Sequence, residues 1–359
     1  EIAGYFQDDW KITRKLTLNL GIRYEIHPSL HEANGLFGSY DFNTHSIVLG
    51  RSLDYLYTHN LTTQPIINAF SSMGATFETP DQAGLPPSLV YGNYHDVAPR
   101  LGMAFSPFGD KMSLVVRGEY GVYVYAPLTR NFYADTRQNP PYQASFTTSY
   151  TSAASSPDGK PNYMLRYPQT VIAGQNSSDV VSLTSPNSIT AGSFMVSALD
   201  KHYPSTFVHQ WNLTVEKGLP FRSVVRLSYV GNHGSNLEQY WNYNDSPSAY
   251  VWLATTGTAL PTGSNSGVAT RVYPNLPYGS IEFQRKKGYS NDNSFQLEVQ
   301  RLHKNGWGFQ AFYVLSNAFR LGGNGWRDSV FQSSNYYLPG LLPSDPDRAN
   351  RSANYLRDL

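Results

Sequence analysis

The chain of 359 residues contains no cysteine, which removes disulfide frameworks and thiolate chemistry. Charge is scarce: Asp, Glu, Lys and Arg make up 15% of the residues, against about a quarter in ordinary soluble domains. Lys and Arg number 27 and Asp and Glu 26, a net charge of +1, so no global field argues for nucleic acid. No apolar run reaches the length of about 18 residues that a membrane helix needs. Helical periodicity is nearly missing as well. Aromatic rings are abundant: 27 Tyr, 18 Phe and 6 Trp, or 14% of the chain.

The dominant signal is a period of two. In LTLNLGIRYEI (16–26), Leu16, Leu18, Leu20, Ile22, Tyr24 and Ile26 alternate with Thr17, Asn19, Gly21, Arg23 and Glu25. That spacing puts every apolar group on one face of a strand. VAPRLGMAFS sets Val97, Pro99, Leu101, Met103 and Phe105 against Ala98, Arg100, Gly102 and Ala104. LVVRGEYGVYVY (114–125), FVHQWNLTVE (207–216), SVVRLSYVG (223–231) and SFQLEVQ (294–300) alternate in the same way. WGFQAFYVL (307–315) does so less cleanly, blurred by Phe312 and Val314. The polar parities are mostly Thr, Asn, Gln, Ser and Gly, which suits a polar barrel interior better than a solvated sandwich face.

The connections sort by length. Short turns carrying Gly, Pro, Lys and Asn-Gly fall at 12–15, 106–111, 216–222 and 303–306. Four hairpins are therefore predicted at about 1–26, 95–125, 206–231 and 293–319, joined by long loops at 27–94, 126–205, 232–292 and 320–359. Every short turn lies at one end and every long loop at the other, as in outer-membrane barrels. The strand-like segments 39–50 and 279–290 are placed in the long loops, outside the membrane, because counting either as a crossing breaks this sorting. The Ser/Thr/Asn-rich part of 143–193 reads as the least ordered. The fold expected is all-β: an antiparallel transmembrane β-barrel fragment of about eight spanning strands. Trp10, Tyr24, Tyr125 and Trp307 are expected at the membrane interfaces. The rival is a soluble or surface-attached β-rich module that binds carbohydrate or acts as an adhesin.

The segment YFQDDWKITRKLTLNLGIRYE (5–25) resembles a recurring hairpin of TonB-dependent outer-membrane receptors, with Gln7, Asp8, Asp9, Trp10, Leu16, Leu18, Leu20, Gly21, Arg23 and Tyr24 in register. VAPRLGMAFSPFGDKMSLVVRGEYGVYV (97–124) resembles the next hairpin through Ala98, Pro99, Arg100, Gly102, Ala104, Arg117, Gly118 and Tyr120. QWNLTVEKGLP (210–220) and SYVGNHGSNL (228–237) are similar to the Oar-like subgroup, which carries a carboxypeptidase-regulatory-like amino-terminal domain. The resemblance implies a receptor and transporter in the bacterial outer membrane, with no enzymatic activity and no cofactor. It implies a barrel of about 22 strands closed by a plug. The imported ligand would be large: a siderophore, glycan, peptide or cobalamin. The partners implied are outer-membrane lipid, that ligand, and a TonB-type energy-coupling protein acting through an amino-terminal region; nucleic acid is not among them. Neither plug nor coupling box is recognisable in these residues, so the chain is expected to be a partial barrel.

Few residues suggest site chemistry. The aromatic segment QYWNYNDSPSAYVW (239–252) sets Tyr240, Trp241, Tyr243, Tyr250 and Trp252 among Asn and Asp, which suits sugars or aromatic chelators. RNFYADTRQNPPYQ (130–143) is a weaker candidate. No metal site and no catalytic set is expected. His27 and His31 stand at helical spacing, but Pro28 argues against a helix. Asp8 and Asp9 are expected at the turn end of a strand, hydrated or paired with Lys11 or Arg23. SNDN (290–293) and DPDRANR (345–351) lack the spacing of calcium loops and are expected to be solvated turns, and GGNG (322–325) follows a strand but has no Lys-Ser/Thr to complete a phosphate loop.

Overall fold

A computed structural model describes residues 1–109, 113–126, 136–137, 139–142, 194–244, 249–259, 261, 271, 274–304, 306–321 and 356–358. Segments 143–193, 322–325 and 345–351, singled out above, lie outside the described residues.

Eight long strands form the framework: β1 (Ile2–Lys11), β2 (Leu16–His27), β6 (Asn93–Phe105), β7 (Leu114–Tyr125), β9 (Thr206–Leu219), β10 (Ser223–Asn242), β11 (Tyr278–Lys304) and β12 (Trp307–Leu321). They lie side by side in chain order, each antiparallel to the next. β13 (Leu356–Asp358) adds to the far edge along β12. Among the described residues β1 pairs only with β2, so the sheet is open. This is the expected fragment of an antiparallel transmembrane barrel.

Turn chemistry explains the tight connections. Thr13 N–H donates to the Leu16 carbonyl at 3.2 Å in the first hairpin. In the last hairpin Lys304 pairs with Trp307, and Gly306 between them takes φ 87°; glycine reaches that conformation without a Cβ clash.

On β6 burial follows the alternation except at Arg100, which lies on the polar parity but is exposed. On β6, Val97, Leu101, Met103 and Phe105 are exposed while Asp96 and Ala98 are buried. Cross-strand register carries this parity across the sheet. Ile22 lies opposite Pro99, Leu213 opposite Tyr229, and Leu227 opposite Leu297 on the apolar face. Gln7, Gly21, Arg100, Gly121 and Gln210 form one row on the polar face. Pro99 has no N–H to donate, and the β6–β7 pairing stops beside it at Arg100.

β10 and β11 are longer than a crossing needs. A tilted strand crosses the apolar band in about 10 residues, whereas β10 has 20 and β11 has 27. Residues 279–290 are therefore the upper part of a continuous strand. SNDN lies within that strand rather than in a turn, as Ser290 pairs with Gly234 and Asn293 with Gly231. The apolar face changes character at this level: His233 lies opposite His209 and Asn291, beyond Tyr229 and Phe295. Of the four expected interfacial rings, Trp10 and Tyr24 take the apolar parity, but Tyr125 shares the polar face with Tyr123.

The largest packed hydrophobic cluster among the described residues sits in the long loops, against β8 (Phe194–Leu199) and the loop end of β11. β3 (Gly38–Tyr40), β4 (Ile47–Leu49) and β5 (Phe77–Glu78) form a small second sheet. It is joined by α1 (Leu53–Thr58), α2 (Gln64–Ser72) and α3 (Pro80–Ala83). Ser52 caps α1 by accepting from Tyr55 N–H, and α3 carries a Thr79–Gln82 capping box with Gly84 in the left-handed position after it. Tyr40, Ile47, Leu49, Leu56 and Phe70 pack against Val196 and Ala198 of β8 and against Tyr278 and Ile281 of β11. β8 runs parallel to β11 and ties this unit to the barrel wall. Each fully buried side chain of this size contributes about 1.5–3 kcal/mol.

Candidate functional site

The polar face carries three groups of side chains between its turn end and its loop end. Nearest the turns, Arg117 Nη1 lies 3.3 Å from Glu216 Oε2, and Arg226 Nε donates to the same oxygen at 3.0 Å. Arg226 also pairs with Glu298, whose other oxygen accepts from Gln310 Nε2 at 2.7 Å. One charged run thus crosses β7, β9, β10, β11 and β12.

Arg117, Glu216 and Arg226 also line a groove of about 720 Å³ that continues along Gln7, Asn19, Gly21, Arg100, Glu119 and Asn212. Of the receptor-like signature residues, Gln7, Gly21, Arg100 and Gly102 line it. The Arg100 guanidinium stands 4.9 Å over the Tyr123 ring. A Cβ at Gly102 would come within 3.3 Å of Asn19 Cβ, so glycine leaves room for Asn19. Asn19 Nδ2 donates to Asp9 at 2.7 Å, and Arg23 is engaged by Glu25 and Glu1. Of the two carboxylates expected to be hydrated or paired with Lys11 or Arg23, Asp8 is exposed and Asp9 meets the Asn19 amide across the hairpin. By parity Asp8, Trp10, Tyr24 and Pro99 fall on the apolar face, Asp8 opposite Leu20.

At the loop end, residues 200–206 bridge the loop core and the wall. Gln284 Nε2 donates to Tyr203 Oη at 2.8 Å and to Glu238 Oε1 at 2.5 Å. Lys286 Nζ donates to Thr206 Oγ1 at 3.0 Å and lies 5.4 Å from the Tyr203 ring centroid. Burial pushes the Lys286 ammonium below its ordinary range, with Glu238 opposing the shift. On the opposite side Glu25, His27, Asp96 and Ser205 are buried together. Sequence reasoning missed this group, because its members are spread over some 180 positions and only strand register brings them together.

The expected ligand-facing aromatics divide. Tyr240 and Trp241 lie in β10 opposite Gln284 and Phe283. Tyr250 and Trp252 lie in α4 (Ala249–Thr256). Tyr243 packs into the loop core, its ring 4.7 Å from Phe42 and 6.4 Å from Phe283. From the weaker candidate segment, Asn139 is a buried staple: Nδ2 donates to the Gly38 and Ser197 carbonyls at 2.7 and 2.8 Å, and Oδ1 accepts from Ser197 N–H at 2.6 Å. His31 is exposed, apart from buried His27.

A family model described as outer membrane beta barrel domain matches residues 1–356. No curated protein matches the sequence. The outer membrane transporter YddB from Escherichia coli is similar over 99% of this chain and 28% of its own, at 10% identity and a TM-score of 0.43. The siderophore receptor PirA from Pseudomonas aeruginosa is similar over 89% of this chain and 33% of its own, at 9% identity and a TM-score of 0.33. The ferric-catecholate import receptor Fiu from E. coli K12 is similar over 91% and 29%, at 10% identity and a TM-score of 0.31. The chain therefore spans about a third or less of the length of these solved structures.

Proposed function

We propose that this chain, which belongs to the family of outer membrane beta barrel domains, is one part of a TonB-dependent receptor that takes up a large ligand by energy-coupled transport. The observation that carries the reading is the pairing of two features on one sheet. One face exposes Ile22, Leu101, Leu213 and Leu227, as a lipid-facing wall does. The other presents the Gln7–Gly21–Arg100 row and the charged run, as a water-filled or plugged lumen does. The alternative, a soluble carbohydrate-binding or adhesin module, would bury the apolar face against a second sheet. Among the described residues the second sheet packs instead in the loop core.

In this reading the loop core and the segment carrying Tyr240, Trp241, Tyr250 and Trp252 form the outer rim that captures ligand. Tyr243 anchors that segment by packing on Phe42. The coupling protein acts on the amino-terminal part of the full receptor.

Intact cells expressing the full protein test this with four probes: a ferric siderophore, an oligosaccharide, a peptide and cobalamin. Uptake of one of them should stop when a protonophore collapses the proton-motive force. Uptake that continues unchanged, or binding of none of the four, would overturn the reading.

A further inference from the structure

Parity places Arg23, Glu25 and His27 in a row on the polar face of β2, and register sets Asp96 of β6 opposite Glu25. Glu1 lies one step beyond the Ile2–Ile26 pair, beside His27. Arg23 occupies one oxygen of each glutamate: its Nε is 2.5 Å from Glu25 Oε1 and its Nη2 3.5 Å from Glu1 Oε1. Both Oε2 atoms are left facing the histidine, at 3.3 Å (Glu25) and 3.9 Å (Glu1) from His27 Nε2. The far side of the ring is held. Nδ1 lies 2.8 Å from Asp96 Oδ2, and that oxygen also accepts from Ser205 Oγ at 2.6 Å.

His27 is 7% exposed, and its Nε2 is buried without a hydrogen-bond partner. A buried ring nitrogen in that state costs free energy unless something completes it. A carboxylate on Nδ1 with Nε2 turned towards further carboxylates is the arrangement that orients a metal-binding histidine.

We propose that Glu1, Glu25 and His27 bind one divalent transition-metal cation of the Zn²⁺ class, resident in the barrel wall and distinct from any imported cargo. The three ligand atoms already lie within 4.8 Å of one another. Around an ion with bonds of about 2.1 Å, tetrahedral ligand atoms stand about 3.4 Å apart. The Glu25–His27 pair is at that spacing, and half-exposed Glu1 closes the remainder by a small side-chain movement. Charge agrees. Glu1, Glu25 and Asp96 against Arg23 leave two negative charges beside a neutral metal-bound imidazole, which a dication balances. An imidazole with carboxylates selects this class over Ca²⁺ and Mg²⁺, which take oxygen ligands throughout. The open side faces a cavity of about 210 Å³ lined by Glu1, His27, Ser29, Asn93 and Tyr203, among others. The Ser29 hydroxyl is a second buried group there without a partner. The cavity supplies an entry path and room for water as a fourth ligand. A bound ion ties β1 and β2, through His27, Asp96 and Ser205, to β6 and to the segment that leads into β9.

The test uses the full-length protein in detergent, stripped with a chelator, reloaded with Zn²⁺ alone, desalted and assayed for metal by mass spectrometry. Heat-dependent electrophoretic mobility reports that each variant is folded. His27→Gln and Glu25→Gln should hold one Zn²⁺ fewer per chain than wild type. Asp96→Asn keeps the ligands but should bind about 10–100-fold more weakly. Glu1→Gln, at an exposed position that does not endanger folding, should weaken binding at least tenfold, and His31→Gln should match wild type. Wild type that retains no Zn²⁺, or Glu1→Gln and His27→Gln that retain as much as wild type, would overturn the proposal. The readout concerns metal alone, so failure of the uptake reading leaves it standing, and the reverse holds.

Discussion

Arg226 on β10 donates from Nε to Glu216 on β9 at 3.0 Å, and its other guanidinium edge meets Glu298 on β11. Among the described residues Arg117 has Glu216 as its carboxylate partner. Arg226→Met therefore leaves Glu298 without this cation and Glu216 with Arg117 alone, whereas Arg117→Met leaves both carboxylates on Arg226. The expected result is a lower unfolding midpoint for Arg226→Met than for Arg117→Met in the detergent-solubilised full protein. The gap should narrow at high salt, since half-exposed ion pairs are screened. Circular-dichroism melts at two ionic strengths check it, and equal midpoints at low salt would contradict it.

The loop core should unfold on its own. Phe70 and Leu56 are fully buried among Tyr40, Ile47 and Tyr278. Phe70→Ala should cost about 3–5 kcal/mol and Leu56→Ala about 2–5 kcal/mol, from lost transfer energy and cavity formation. The loss is local, because the long sheet is held by its own ladders. Hydrogen exchange should accelerate over residues 38–78 while the heat-dependent gel shift of the barrel stays intact. Exchange that accelerates equally in β9 and β10 would contradict this.

Alkaline pH should loosen the same unit. Burial pushes the Tyr278 and Tyr142 hydroxyls above their ordinary value of 10.0, with Glu32 adding to the effect at Tyr142. The folded unit keeps these protons after the unfolded chain has lost them. Their contribution is thus whole below about pH 10 and is lost as pH climbs through the raised values. Tyr278→Phe cannot ionise and should flatten part of the fall. Phenolate absorbance followed alongside loop proteolysis measures it; an identical alkaline profile in wild type and variant would count against the assignment.

Much of the sheet was legible because its strands are sided. Val97, Leu101, Met103 and Phe105 each face away from Ala98, Arg100, Gly102 and Ala104, and a period of two has one interpretation at that length. The upper halves of β10 and β11 were not, since residues such as Asn291, Asp292 and Asn293 are polar on both faces. The loop core escaped for another reason. α1 and α2 have 6 and 9 residues, too short for a helical period to stand out, and their apolar partners Val196 and Tyr278 lie far away in sequence. Tyr243 was legible as an aromatic but not as a core residue, because Phe42 and Phe283 reach it only through the fold. The Glu25–His27–Asp96 group was invisible for want of any local motif: His27 and Asp96 are 69 positions apart.

The face carrying Ile22, Leu101, Leu213 and Leu227 should meet lipid. These 359 residues contain no cysteine, so a single cysteine introduced here for spin labelling has no competitor within them, and β6 is the cleanest strand on which to place it. Nitroxides placed in turn at positions 98–105 of the full protein in lipid vesicles report collision with oxygen, which concentrates in the bilayer, and with a water-soluble nickel chelate. Accessibility should follow a period of two: oxygen collisions peak at Leu101, Met103 and Phe105, with troughs at Ala98, Arg100, Gly102 and Ala104. A profile without that period, or one with the two sets exchanged, would contradict it.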